Sequence, residues 1–174
     1  MIDSILNYNN TLESFAKGDI LQREGQLSSK TFYVKKGLLR SYTIDSKGKE
    51  HIYMFASEGW LVSDIESQVF KNETVLFIDA IENSEVYIID ANNVESSLDS
   101  VTALKDMVNP LLKRVGVMQR RILALMSSSA RERYESFLQI YPELPNRVPQ
   151  KMIASYLGIT PEALSTIRGK IAKG

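Results

Sequence analysis

The residues with the clearest chemistry lie near the carboxyl end, in the segment QKMIASYLGITPEALSTIRG from Gln150 to Gly169. Two short runs of apolar residues at helical spacing flank Gly158, and this pattern predicts a helix-turn-helix. Gly158 stands at the turn, where the backbone needs a left-handed conformation that glycine adopts without steric cost. Thr160 can cap the second helix, and Pro161 is tolerated at its first position. We therefore expect the second helix to enter the major groove of double-stranded DNA.

Candidate DNA contacts are the polar and solvent-facing positions of this segment. Glu162 can accept a hydrogen bond from a cytosine amino group, and Ser165 or Thr166 can contact base edges. Arg168 suits a phosphate contact, although any one basic residue taken alone can also be a solvated surface charge. The predicted DNA-binding residues are Gln150, Lys151, Thr160, Pro161, Glu162, Ser165, Thr166, Arg168 and Lys170.

The composition excludes several kinds of chemistry. The 174 residues include no cysteine and a single histidine, His51. Disulfides, thiolate metal sites, iron–sulfur clusters and cysteine nucleophiles are therefore impossible, and one imidazole cannot build most metal centres. A cupin-type enzyme, which is also a small barrel, would need several histidine ligands around a metal. We expect no catalytic residue, no metal, no cofactor and no enzyme activity.

The charge is balanced overall but divided along the chain. Residues 1–109 hold 10 Lys and Arg against 17 Asp and Glu, whereas residues 110–174 hold 11 against 4. The basic half contains the predicted helix-turn-helix, as a phosphate-binding partner requires. No apolar run approaches the roughly 20 residues of a membrane span, and no signal peptide opens the chain. We expect a cytoplasmic protein without a membrane partner.

The elements that must position this helix-turn-helix differ between the two halves. From Leu12 to Asp90, short runs rich in Tyr, Phe, Val and Ile alternate with glycine turns, which predicts a compact antiparallel barrel or roll. The turns fall at Gly18, Gly25, Gly37, Gly48 and Gly59. The predicted strands are Asp19–Gln22, Thr31–Lys35, Leu38–Ile44, Glu50–Phe55, Val75–Ile81 and Glu85–Asp90.

After Asp90 the apolar spacing becomes helical. We expect a long helix from about Pro110 to Met126 with a shorter segment before it, because Asn109-Pro110 can cap and open a new helix. A second apolar stripe on this helix (Leu112, Val117, Leu123) favours a partner chain. A further helix, Ser128 to Ile140, precedes a loop, Tyr141–Val148. The predicted dimer interface comprises Leu111, Val115, Met118, Ile122 and Leu125.

A glycine-punctuated roll, a long helix and a terminal helix-turn-helix together resemble the Crp/Fnr family of bacterial transcription regulators. The matching residues are Gly18, Glu24-Gly25, Phe32-Tyr33-Val34, Gly37, Gly59, Gln119–Ile122, Arg133-Tyr134, Arg147-Val148-Pro149 and Ile153–Glu162. The resemblance implies an α+β fold with an amino-terminal antiparallel β-roll like a jelly roll, a dimerisation helix and a carboxy-terminal helix-turn-helix. It also implies a homodimer on a near-palindromic operator, a small effector in the roll, and RNA polymerase as a further partner.

On this resemblance we assign residues 1–99 to a cyclic-nucleotide-binding-like sensor domain, 100–127 to the dimerisation helix and 128–174 to the DNA-binding domain. Family members often continue into wing strands, so we expect a helix-turn-helix without a complete wing. The alternative is a sensor or interaction module whose degenerate helix-turn-helix binds a protein partner.

The effector region departs from that of the members that bind cyclic AMP. Those members carry Gly-Glu and then Arg-Ser or Arg-Thr, whereas this chain has no arginine between Arg40 and Arg114. Because arginine suits bidentate phosphate recognition, we predict that cyclic AMP does not bind. Any effector should be neutral or cationic, given Asp64, Glu66 and Glu73; a pocket filled with side chains is the other alternative. The effector-pocket candidates are Trp60, which can equally be core or lid packing, with Val62, Ser63, Asp64, Thr74 and Val75.

Overall fold

The computed structural model describes residues 10–89 and 101–172, and its first part is an antiparallel roll. The strands are β1 (Thr11–Phe15), β2 (Ile20–Gln22), β3 (Thr31–Lys36), β4 (Leu39–Ile44), β5 (Glu50–Ala56), β6 (Leu61–Val62), β7 (Phe77–Ala80) and β8 (Ser84–Ile89). They form two four-stranded sheets, ordered β1-β8-β3-β6 and β2-β7-β4-β5. A short helix, α1 (Ile65–Phe70), follows β6.

This architecture confirms the predicted roll, with three additions. The strands β1 and β6 and the helix α1 were not expected, because each is too short or too polar to show a clear apolar period. The turn glycines were placed correctly: Gly18, Gly25, Gly37, Gly48 and Gly59 all have positive φ. At Gly37 a Cβ atom would also lie 2.3 Å from the hydroxyl of Ser84, so no other residue fits there. Asp90, the predicted end of the last strand, lies outside the described residues.

The second part is helical. The long helix α2 (Val101–Ser127) runs through Pro110 without a break, so the expected start of a new helix at Pro110 is wrong. Proline removes one backbone donor, but the helix continues on both sides of it. A capping box opens the next helix, with the Ser129 hydroxyl accepting from the Glu132 amide at 3.3 Å. The remaining helices are α3 (Ala130–Ile140), α4 (Leu144–Arg147), α5 (Gln150–Leu157) and α6 (Pro161–Ala172).

Two apolar cores hold these parts together. One fills the space between the two sheets of the roll, around Phe32, Leu39 and Ile78. The other joins the roll to the helices through an aromatic cluster in which ring centroids lie 5.4–6.3 Å apart. Such spacings are those of stacked and edge-on aromatic pairs, which stabilise beyond their buried area. The members of this cluster are Phe55, Phe137, Tyr141 and Tyr156.

Within residues 10–89 and 101–172, no helix is both long enough and apolar enough to cross a membrane.

Candidate nucleic-acid interface

Helices α5 and α6 form the predicted helix-turn-helix. Their shared core is closed, because Ile153, Ala154 and Leu164 have no exposed surface. Gly158 ends α5 with φ +66°, in the left-handed region expected for the turn. The amide of Ile159 then donates to the carbonyl of Ala154 at 3.0 Å, which fixes the direction of the chain into α6.

The start of α6 is capped as the sequence predicted. The Thr160 hydroxyl accepts a hydrogen bond from the Ala163 amide at 3.2 Å. The pKa of the Glu162 carboxyl is lowered by its own backbone amide and then by the Thr160 hydroxyl. Glu162 is therefore ionised at neutral pH, at the helix end where a negative charge is favourable. In the free protein it stabilises the first turn of α6.

The outer face of α6 is open to solvent. The Thr166 hydroxyl donates a hydrogen bond to the Glu162 carbonyl at 3.0 Å. The methyl group of Thr166 is therefore more available for an outside contact than its hydroxyl. At the start of α5 no side chain caps the backbone amides. Eight of the nine predicted DNA-binding residues are exposed, and Arg168 is partly buried: Gln150, Lys151, Thr160, Pro161, Glu162, Ser165, Thr166, Arg168 and Lys170.

The buried side of the helix-turn-helix forms hydrogen bonds with the edge strand β5 of the roll. The Ser155 hydroxyl accepts from the Ile52 amide at 3.0 Å and donates to the Glu50 carbonyl at 2.9 Å. The Arg121 guanidinium, from α2, donates to the carbonyls of Ile52 and Tyr53 on the same strand. Strand β5 is an edge strand, and these side chains satisfy backbone groups that no neighbouring strand pairs.

An ion-pair cluster connects the roll to α4, the short helix that precedes the helix-turn-helix. Arg147, at the end of α4, lies 3.0 Å from Glu58 and 2.5 Å from Glu82. It also donates to the Gly37 carbonyl at 3.1 Å. Hydrogen bonding to Arg147 lowers the pKa of Glu58. The sequence pattern did not reveal this role, because the two acids lie 89 and 65 residues away from Arg147.

The two faces of α2 differ in what they contact. Arg114 is buried against the roll, and Arg121 also faces the roll. The opposite side is an exposed apolar face, where Val115 and Ile122 are each 57% exposed and Leu112 61%. Of the predicted dimer residues, Val115, Ile122 and Leu125 lie exposed, while Leu111 and Met118 are partly buried.

Most effector-pocket candidates are occupied by internal contacts. Buried Asp64 caps α1, and its carboxylate accepts from the amides of Ser67, Val75 and Leu76. The Thr74 hydroxyl donates to the Arg23 carbonyl at 2.7 Å. Val62 lies in the inter-sheet core, whereas Val75 is exposed. Trp60 packs on Tyr141 at 5.7 Å and carries the Lys113 ammonium over its ring at 4.6 Å.

An arginine from outside the roll reaches this region, although the sequence between Arg40 and Arg114 contains none. Helix α2 brings Arg114 to it, and the guanidinium donates to the Ser63 hydroxyl at 3.1 Å and to the Ser63 carbonyl at 2.7 Å. The sequence of the roll could not reveal Arg114, because this residue lies on α2, 51 residues away from Ser63. Burial lowers the pKa of this guanidinium, and Tyr53 and Asp64 oppose the effect.

The single histidine serves the β4–β5 hairpin. His51 Nε2 lies 2.8 Å from the Asp45 carboxylate. This hydrogen bond, with the amides of Lys49 and Lys47, lowers the pKa of Asp45 to about 2. Across the described ranges, His, Asp and Glu side chains form no group of three or more suited to a metal ion.

Comparison with known proteins agrees with this geometry. Residues 12–100 match the cyclic nucleotide-binding domain family, which is more than half of the chain. Electron transport regulator A of Shewanella oneidensis is 26% identical over 90% of this chain and 67% of its own length. The fumarate and nitrate reduction regulatory protein of Yersinia pestis is 25% identical over 99% of this chain and 73% of its own length.

Solved structures show the same fold. FixK2 from Bradyrhizobium japonicum superposes with a TM-score of 0.78 at 20% identity, over 94% of this chain and 85% of its own. A CRP/FNR-family transcriptional regulator from Thermus thermophilus gives 0.73 at 19% identity, over 94% and 86%. With its roll, long helix and capped helix-turn-helix, the chain belongs to the cyclic nucleotide-binding domain family and is a transcription regulator of the Crp/Fnr type.

Proposed function

We propose that the chain acts as a homodimer that reads a near-palindromic operator with helix α6 of each protomer. The observation that carries this proposal is the division of α6 into two sides. Its inner side is buried through Leu164, while its outer side stays exposed although the helix-turn-helix is bonded to the roll. A helix that is fixed by its buried side and exposed on the opposite side suits insertion into a major groove.

The candidate DNA-binding residues divide into two roles. Lys151, Arg168 and Lys170, with the first amides of α5, which no side chain caps, hold phosphates and set the position of the protein on the duplex. Glu162 and Ser165 contact base edges, and the Thr166 methyl suits a thymine methyl. To reach a base, the Glu162 carboxylate must leave its own backbone amide and the Thr160 hydroxyl.

The proposed dimer forms through the exposed apolar face of α2. Large apolar side chains that are contiguous and exposed on one face of a helix are typical of an interface with a partner. Single exposed apolar residues are common on protein surfaces and need no such explanation. Ile122 and Val115 lie at its centre. Two-fold symmetry then separates the two half-sites by about one helical turn, roughly 34 Å.

Two experiments test this proposal. Selection of bound fragments from random duplexes should yield an inverted repeat, and a collection without any shared sequence would contradict it. Sedimentation equilibrium should give a dimer that Ile122→Glu converts to a monomer. Leu27→Glu, at an apolar side chain that is 85% exposed in a loop of the roll, should leave the dimer intact.

For the effector, we propose that cyclic AMP does not bind. The Asp64 carboxylate already accepts three amides, and Arg114 is already bonded to Ser63, so neither is free for a ribose hydroxyl or a phosphate. Exposed Glu66 and Glu73 still favour a neutral or cationic effector. Calorimetric titration with cyclic AMP should give no heat, and micromolar affinity would contradict this proposal. RNA polymerase is the further partner we propose from the family.

A further inference from the structure

One side chain joins three parts of the molecule. The Arg121 guanidinium extends from α2, and its Nη2 atom donates to the Ile52 carbonyl of β5 and to the Tyr156 carbonyl of α5, each at 2.9 Å. The other terminal nitrogen, Nη1, donates to the Tyr53 carbonyl of β5. Among the described residues, no other hydrogen bond links α2 directly to α5 or α6.

Two of these carbonyls lie where their own elements leave main-chain groups without partners. In β5, Ile52 and Met54 pair with neighbouring residues of β4, so Tyr53 between them is the extra residue of a β-bulge. The Tyr156 carbonyl lies in the last turn of α5, where carbonyls have no partner within the helix. That turn contains no basic residue of its own, so Arg121 supplies the positive charge that a helix carboxyl end favours.

The guanidinium is also held by an aromatic ring. Its Cζ atom lies 4.1 Å from the centroid of the Tyr156 ring, and a cation over an aromatic face is attracted to it. This ring is buried and packs on Phe55 of β5 and Phe137 of α3, with centroids 5.5 Å apart in each pair. Because all three acceptors of Arg121 are main-chain atoms, the contact fixes the backbone of α5 against the backbone of β5.

We propose that Arg121 is a positioning residue that fixes the angle between α2 and the helix-turn-helix, and thereby the half-site spacing that the dimer accepts. This inference rests on the homodimer proposed above, in which α2 forms the interface and each α6 reads one half-site. The distance between the two reading helices then depends on how firmly α5 is joined to α2. One base pair inserted between the half-sites moves them apart by about 3.4 Å and turns them by about 35°, so a rigid dimer binds only one spacing well.

The test uses the duplex selected from the random pool and versions with one base pair inserted or removed between its half-sites. Wild type should bind the selected spacing at least about tenfold more tightly by fluorescence anisotropy. Arg121→Met removes the charge and the donors but retains an apolar stem, and it should reduce this preference to about threefold or less. Arg120→Met is the matched control, because Arg120 is the neighbouring residue of the same helix and is exposed. It should keep the wild-type preference, and neither variant should change binding to a duplex with a single half-site.

Arg121→Lys separates positioning from folding. Its ammonium keeps the charge, but one nitrogen cannot take the place of two terminal nitrogens, so its spacing preference should lie between those of wild type and Arg121→Met. If Arg121→Met does not fold, a preference of Arg121→Lys equal to that of wild type overturns the proposal.

A folded Arg121→Met that keeps the wild-type spacing preference also overturns the proposal, even if its melting temperature is lower, because the role of Arg121 is then structural only. This outcome leaves the proposed dimer on its operator intact. A wild type that binds all spacings alike would contradict that dimer itself, and this inference with it.

Discussion

The Ser155 hydroxyl and the Ile52 amide lie 3.0 Å apart, and this hydrogen bond attaches the first helix of the helix-turn-helix to the edge strand of the roll. Because the same hydroxyl donates to the Glu50 carbonyl, one side chain completes the edge of β5 at two points. A shift of β5 should therefore move α5 as well, because these two hydrogen bonds join them. The roll is in this way coupled to the helix-turn-helix.

Replacing Ser155 by Ala should destabilise the folded chain by about 1–2 kcal/mol, because the Ile52 amide loses its partner in a partly buried position. Urea unfolding of the purified protein measures the difference. The control is Ser165→Ala on the exposed side of α6, which should change the free energy of unfolding by less than about 0.5 kcal/mol. Equal effects of the two variants would contradict the role given to Ser155.

The Arg147–Glu58 pair should make stability depend on pH. In the folded chain the pKa of Glu58 lies below its ordinary value of 4.5, so the folded state binds fewer protons. Its contribution is fully present above about pH 4.5 and is lost as the pH falls through the lowered folded value. We expect Glu58→Gln to cost about 0.5–1 kcal/mol at pH 7, as for other partly exposed ion pairs.

Urea melts of Glu58→Gln and wild type at pH 7 and at pH 3 measure this effect. The two proteins should differ at pH 7 and converge in acid. A constant difference at both pH values would show that the substitution acts through packing and not through charge.

Two glycines in the helix-turn-helix should respond in opposite directions to alanine. Gly158→Ala should destabilise by about 1–2 kcal/mol, because φ is +66° and an added Cβ atom gains only ordinary contact with Leu125. Gly169→Ala, in the open interior of α6, should stabilise by roughly 0.5–1 kcal/mol through its helix propensity. Calorimetric melts of both variants test this pair, and a stabilising Gly158→Ala would refute the assigned turn.

The two proposed roles on α6 predict different losses of DNA binding. Arg168→Ala should weaken binding to all duplexes alike and lower the salt slope by about 2 for a dimer, whereas Arg131→Ala should change neither. Glu162→Ala should cost about 1–3 kcal/mol only at one base pair of each half-site. Fluorescence anisotropy on the preferred duplex and its single-base variants makes the comparison. Uniform losses from both α6 variants would show that the division of roles is wrong.

Local signals in the sequence predicted local structure well. The glycine turns, the cap at Thr160 and the turn at Gly158 depend on a few neighbouring residues, so their types and spacing were sufficient. The continuation of α2 through Pro110 was not predicted, because the conformational preference of one proline does not show how the rest of a long helix packs.

In the candidate site, too, some features could be predicted from the sequence and others could not. The exposed face of α6 follows from the helical spacing of its apolar residues alone. The residues that fix its position do not, because Arg114, Arg121 and Arg147 all bond to partners more than 50 residues away. A basic residue near an apolar stripe looks the same in sequence whether it is solvated or buried against a distant strand.

The most direct test of the account is the salt dependence of binding to the selected duplex. Lys151, Arg168 and Lys170 from two protomers should make six phosphate contacts, which predicts a slope of log K against log salt of about −5. We expect this slope together with two protomers on each duplex and weak binding to scrambled sequences. A flat slope, or one protomer with equal affinity for every duplex, would contradict it.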